Sequence, residues 1–232
     1  MKKETSADPE QLYERLEYGF TMVFMAFLSV VTLSVMVYVA NDYGFSTLNE
    51  ILAVSRRTPW GIITSLFVHA DEKHLLSNMI ALFVFFLLLL GSNVFHSEKE
   101  LKHRILTTLP LIICLPVVLN LLFIIYFPEL KLIGSSSIIY TLEGRCIGYS
   151  LINSLELRKV RKSVQKERRV LLASSLSNLI VFASFFLNVL LYPLLSPSTG
   201  LQLIVWIHSS AFSGGFLTVV FYALRRQFKE PE

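Results

Sequence analysis

The sequence predicts an all-α fold, a polytopic membrane bundle of six transmembrane helices. Three observations predict it. Hydrophobic residues make up 53% of the 232 positions and charged residues only 16%, where a soluble domain carries about a quarter. The mean hydropathy is +0.59. The apolar residues fall into long runs of helix-spanning length, separated by polar stretches that carry most of the charge. This excludes a soluble enzyme, a disordered tail and a disulfide-stapled secreted domain. The two cysteines, Cys114 and Cys146, lie inside apolar runs and form neither a disulfide framework nor a CxxC metal site. The first seventeen residues are polar and include Glu4, Asp8, Glu10, Glu14 and Glu17, so they are not a signal peptide.

A helix needs ~20 apolar residues to cross the hydrocarbon. Six stretches qualify: Gly19 to Ala40, His74 to Phe95, Ile105 to Tyr126, Gly134 to Asn153, Val170 to Tyr192 and Leu201 to Leu224. There is no internal repeat and no second domain. The expected organisation is therefore an N-terminal tail (residues 1–18), a six-helix membrane domain (19–224) and a C-terminal tail (225–232).

The basic residues set the orientation. Sixteen of the 21 Lys and Arg fall in the two tails and in the second-to-third and fourth-to-fifth connections, with Arg158, Lys159, Arg161, Lys162, Lys166, Arg168 and Arg169 in the last of these. The opposite loops hold Arg56, Arg57, Lys73 and Lys131, and Arg145 lies within a span. By the positive-inside rule both termini are cytoplasmic, and the protein is a multi-pass component of the cell membrane. The run from Arg158 to Arg169, short and between two spans, reads as a topology determinant against anionic lipid rather than a nucleic-acid patch. The first outer loop is about thirty residues long, and its segment Trp60 to Val68 is apolar but too short to span. Such a segment lies in the interface or dips partway in, with Trp60 as an anchor, and any backbone that dips must be covered by protein.

Polar side chains within lipid are costly and face the bundle interior, so function is sought there. The second span opens with His74 and Asn78, spaced i and i+4 on one face. The fourth opens with Gly134-Ser135-Ser136-Ser137, and counting by fours from Ser136 gives Tyr140, Gly144 and Gly148. The sixth carries His208 with Ala211 and Gly215 at +3 and +7. These three spans all enter from the outer face, which brings the polar groups to one depth. His208 lies seven residues past Leu201, roughly 10 Å in. The small faces Gly144/Gly148 and Ala211/Gly215 allow close helix approach, which a Ser–His hydrogen bond across two helices requires. His208 then serves as a base for Ser136. Asn78, His74 and the Ser136 backbone N–H are candidate donors to an oxyanion, and Tyr140 can stack on the His208 ring.

The segment Trp60 to Gly91, containing FVHADEKHLLSNMIALF, together with GSSSIIYTLEG from Gly134 to Gly144 and His208–Ala211–Gly215, resembles the rhomboid intramembrane serine proteases. The likeness runs from the first outer loop to the sixth helix. It implies a Ser–His dyad protease that cuts transmembrane segments of membrane-protein substrates near the outer face. Carried over, Ser136 is the nucleophile, the third residue of the family's Gly-x-Ser-Gly pattern, and His208 is the general base. His74 and Asn78 form the oxyanion site. Gly134 permits the tight turn into the fourth helix, Tyr140 is a platform for the base, and His69 matches a further recurrent histidine. The family's Gly after the nucleophile is Ser137 here, the first Gly of its sixth-helix pair is Ala211, and its Trp-Arg pair reads Trp60-Gly61.

Other polar residues have blander readings. His96 and His103 are expected in solvent, in a cytoplasmic loop. Glu143 and Arg145 are expected to find polar partners in the bundle or to reach the cytoplasmic interface. Asn120, Asn178 and Asn188 read as interhelical hydrogen-bond formers, and Pro110 and Pro116 as bends. Phe182, Phe185 and Phe186, with Pro193 and Pro197, suggest the fifth helix as a lateral gate. No cofactor is called for. A zinc site from His69, His74 and His208 is not expected, because there is no HExxH and the i, i+5 spacing is poor. The partners are substrate transmembrane segments and the bilayer, with no nucleic acid. The competing functions are a catalytically inactive relative that binds such segments, and a small transporter, which would show repeat symmetry about a midplane site.

Overall fold

Caps as well as hydrophobicity decide where the helices begin, as the computed structural model of the chain shows; it describes residues 9–44, 47–93, 96–159 and 199–229. Helix α1 (Pro9–Tyr43) is followed, in the loop expected on the outer side, by two short helices, α2 (Leu48–Leu52) and α3 (Gly61–Thr64), and a 3-10 turn (Ser65–Phe67). Then come α4 (Glu72–Asn93), α5 (Glu98–Tyr126), α6 (Ser136–Lys159) and α7 (Thr199–Lys229). Asp71 caps α4 by accepting the His74 N–H at 2.7 Å, which starts the helix two residues before the expected His74. Ser97 caps α5 by accepting the Glu100 N–H at 3.3 Å. This Ser-x-x-Glu start lengthens the third span back to Glu98, well before Ile105. Pro110 and Pro116 both lie inside α5. The expected fifth span, its gate residues, Asn178 and Asn188 lie outside the described residues.

Among the described residues, four helical segments are long and apolar enough to cross a membrane: Glu17–Tyr43, Glu72–Asn93, Glu98–Tyr126 and Val205–Arg225. Their surfaces are inside-out relative to a soluble protein. Met25, Met36, Leu76, Ile80, Ile125 and Phe221 are exposed, whereas Asn78, Thr108, Asn120, Glu143 and Arg145 are buried. A contiguous exposed apolar belt of this kind is matched by lipid rather than water. The chain is a multi-pass membrane protein.

Helix α6 is the most polar of the five long helices described, yet it is central, packing on α4, α5 and α7. Its neighbours shield Glu143 and Arg145 from lipid. The α6–α7 contact is backbone to backbone. A Cβ on Gly144 would strike the Phe212 carbonyl, and one on Gly215 would strike the Thr141 carbonyl. Ala211 is fully buried in the same seam.

The outer loop satisfies its own backbone. Thr64 Oγ1 donates to Leu52 O at 2.8 Å, and the exposed Trp60 donates its Nε1–H to Ile51 O at 2.7 Å. Asn120 of α5 donates to Ile62 O at 3.0 Å and to Ser65 Oγ at 3.1 Å. Gly61, where the family likeness would have Arg, sits on Ala53 with no room for a Cβ. The loop also holds the segment leading into α6. Val54 and Leu132 exchange both backbone bonds at 3.1 Å, and Gly134 N donates to Ser65 O at 2.9 Å.

Candidate active site

The short turn that begins α6 is built from Gly134. Its φ of +116° is a left-handed conformation that side chains rarely adopt. Space forbids a side chain as well, since a Cβ would lie 2.9 Å from His74 Cε1 and 3.8 Å from Ser136 Oγ. The turn therefore packs Gly134 itself against the His74 ring at the start of α4.

Of three adjacent serines at this turn, two send their hydroxyls to different partners. Ser136 Oγ meets His208 Nε2 at 2.7 Å, across α6 and α7. Ser135 Oγ instead meets His69 Nε2 of the outer loop at 3.0 Å. Ser135, Ser137 and His69 are buried, whereas Ser136 and His208 are only partly buried. Of the three, Ser136 is thus the hydroxyl that combines contact with His208 and access from outside. The Tyr140 ring lies one turn along α6, its centroid 4.2 Å from that of His208 with the planes inclined by 38°.

Groups that can donate to an anion stand on α4 and at the start of α6. Asn78 is buried one turn after His74 on α4, and its Nδ2 has no hydrogen-bond partner among the described residues. An unsatisfied buried amide N–H is costly, which sets this one apart on the helix that carries His74. The first-turn N–H groups of α6 are the other source, since a helix start leaves them without intrahelical acceptors. The Ser135 carbonyl accepts only from further along, from Ile138 N at 2.9 Å and Ile139 N at 3.2 Å.

His69 and His74 stand edge to face with centroids 5.2 Å apart. Burial first, and the neighbouring His74 second, push the His69 pKa down from 6.5 to about 4. Its imidazole is therefore neutral at physiological pH. Asn49 Nδ2 donates to the His69 carbonyl at 3.3 Å, which fixes the loop behind the ring.

The site residues named from the sequence thus meet at one end of the bundle: Ser136 with His208 and Tyr140, and His74 with Gly134, while Asn78 follows His74 on α4 with its amide unpaired. A family model described as the Rhomboid domain matches residues 56–225 of the chain. The chain belongs to the rhomboid family. Searches of curated proteins and of solved structures return no match. The rhomboid match begins at Arg56, inside the outer loop, and takes in every residue of the site.

Two features of this rhomboid escape sequence reasoning. The Ser135–His69 bond joins residues 66 apart, and only the doubled serine hinted at it. The second is a polar cluster at the other end. There Arg104, expected as a loop charge, is buried and donates to Asn93 Oδ1 at 2.8 Å and Asn153 Oδ1 at 2.9 Å. His96, expected in solvent, is half-buried and corrects that expectation. Its Nε2 lies 3.1 Å from Arg104 Nη1 and 2.8 Å from Asn153 Oδ1. The connection is so short that α4 and α5 draw the ring into the bundle. His103 is exposed, against the Tyr222 ring. Arg145 finds its polar partners inside, donating to Thr108, Thr107, Thr218 and the Tyr149 hydroxyl.

Proposed function

We propose that this protein is an intramembrane serine endopeptidase that cleaves transmembrane segments of membrane-protein substrates near the outer face. The observation that carries the reading is the 2.7 Å contact between Ser136 Oγ and His208 Nε2, both only partly buried.

In this mechanism neutral His208 takes the Ser136 proton on Nε2 as the oxygen attacks the scissile carbonyl carbon. The carbonyl π electrons move to oxygen, and the tetrahedral anion accepts hydrogen bonds from Asn78 Nδ2, the His74 ring and the Ser136 N–H. Collapse breaks the C–N bond, and His208 returns its proton to the leaving amine. Water then attacks the acyl-enzyme with His208 again as base, releasing the acid and restoring Ser136. The Tyr140 ring holds the imidazole at the angle this requires. The scissile segment must unwind, because the carbonyls of an intact helix are already hydrogen-bonded. Residues that weaken helices are therefore expected near cut sites.

The basic residues orient the protein with both termini cytoplasmic and the site toward the outer face. In this reading the membrane domain covers residues 19–224, between two short cytoplasmic tails, and its partners are substrate segments and lipid.

The test is cleavage of single-span reporter substrates by the full chain in proteoliposomes. Ser136→Ala and His208→Ala are expected to reduce cleavage by about 10^4-fold or more, with Ser137→Ala retaining most of it. Undiminished cleavage in Ser136→Ala would move the nucleophile. A wild-type protein that binds reporters without cutting them would make it a binding-only relative.

A further inference from the structure

Ser135 occupies the position just before α6, where a serine ordinarily turns its hydroxyl inward and accepts a first-turn N–H. Here its only hydrogen-bond partner among the described residues is the His69 ring, at 3.0 Å and fully enclosed. The hydroxyl is diverted sideways. The backbone around it is held independently, by Gly134 N on Ser65 O and by the Ser135 carbonyl on the Ile138 and Ile139 N–H groups. His69 is itself anchored through its carbonyl to Asn49. The bond between the two side chains is therefore not needed to form the turn. Its specific consequence is the direction of one hydroxyl.

That direction matters for chemistry. A serine oxygen occupies one rotamer at a time. Turned inward, it would engage the Ser137 N–H, since the Ile138 N–H is already held by the Ser135 carbonyl, draw the positive end of the helix onto itself, and crowd the place where an oxyanion must sit. Turned toward His69, it leaves the first turn of α6 open. We propose that His69 is a positioning residue that holds the Ser135 hydroxyl away from the start of α6, keeping its two free N–H groups, those of Ser136 and Ser137, for the oxyanion. This rests on the protease reading above. It assigns a positioning role to a histidine that never touches substrate, and it explains why two serines side by side do not compete: each is claimed by its own histidine.

The proposal makes an unusual prediction, that deleting the hydroxyl repairs the loss of the histidine. The full chain in detergent is reacted with a fluorophosphonate probe whose phosphonyl oxygen occupies the oxyanion position. Labelling is measured against probe concentration for the wild type, His69→Phe, Ser135→Ala and the double variant. Ser135→Ala is expected to label within about threefold of the wild type, because a methyl cannot cap the helix. His69→Phe is expected to lower the maximal labelling rate tenfold or more, with the half-saturating concentration unchanged. The double variant is expected to return to the Ser135→Ala rate. A double variant as slow as His69→Phe overturns the proposal, since His69 would then act without Ser135. A tenfold loss in Ser135→Ala alone also overturns it, and that variant needs no change to His69, so the test survives a His69→Phe chain that fails to fold. A wild type that is not labelled at all overturns the protease reading and this inference with it, whereas a labelled wild type with either contrary pattern overturns the inference alone.

Discussion

The two ends of the bundle treat buried polar groups in opposite ways. At the end away from Ser136, Arg104, Asn93, His96 and Asn153 bond one another, and Asn153 Nδ2 also donates to Ser92 O at 2.6 Å. Arg145 spends its guanidinium on three threonines and a tyrosine, and both arginines lie over the Tyr149 ring, at 4.8 and 5.1 Å. At the Ser136 end, Asn78 Nδ2 is buried with nothing to bond among the described residues, and Ser136 and His208 are open to approach. Both ends are expensive in lipid. The first recovers the cost through its own contacts and acts as a structural clamp. The second leaves donors unspent, which is the condition a transition state can exploit.

This contrast is sharpened first by Asn78→Ala. If the amide is held for an oxyanion, its loss lowers kcat by about 10^2- to 10^3-fold, with KM and melting temperature little changed, because no ground-state bond is removed. An equal loss of stability would make Asn78 part of a saturated network, like the residues at the other end.

The next largest effect is expected from the seam that brings the serine and the histidine together. Gly215→Val drives a side chain into the Thr141 carbonyl, so α7 must shift. A displacement of about 1 Å at the reacting groups costs on the order of 10^2-fold in rate. The overpacking itself costs about 1–3 kcal/mol, read as a fall in denaturation midpoint. Gly91, with open space around it, is the control: Gly91→Ala should change neither.

The clamp predicts the reverse pattern. Arg104→Ala leaves Glu100, Asn93 and Asn153 without their shared donor. The expected cost is about 2–3 kcal/mol of stability, while the rate per folded molecule stays within a fewfold of the wild type. A selective loss of rate would show that the two ends are coupled.

How far these regions were readable in the sequence differs for a physical reason. Apolar runs located the spans, since the thickness of the bilayer imposes their length. The candidate site was readable because its groups sit in three short motifs, two of them at helix starts, where spacing alone places side chains on a face. His74 and Asn78 are one turn apart, and Ser136 follows a glycine whose turn admits no side chain. The clamp was not readable. His96 and Arg104 look like ordinary loop polarity, and only the tight α4–α5 connection turns them inward. The Ser135–His69 bond was hidden for the same reason, because it depends on how an outer loop folds back on a helix start. The helix ends were misplaced wherever a cap, Asp71 or Ser97, outweighed hydrophobicity.

The smallest effect concerns His69. In the unfolded chain its pKa is the ordinary 6.5, and in the folded protein burial and His74 hold it to about 4. As pH falls through 6.5 the unfolded state takes up the proton first, so stability is lost between about pH 6.5 and 4 and is fully present above that window. At pH 5.5 the loss amounts to roughly 1 kcal/mol. His69→Gln should remove that part of the decline in melting temperature between pH 7 and 5.5. A decline identical to that of the wild type would mean that His69 titrates normally in the fold.

On the proposed reading Ser136, and not its neighbours, is the hydroxyl that His208 activates. Trypsin cuts after Lys131 and Arg145, so one peptide, Leu132 to Arg145, contains all three serines. Tandem mass spectrometry of that peptide, after the full chain has reacted with a fluorophosphonate, is expected to place the adduct on Ser136, and the adduct should be absent from His208→Ala. An adduct on Ser135 or Ser137, or one formed equally well without His208, would contradict the account.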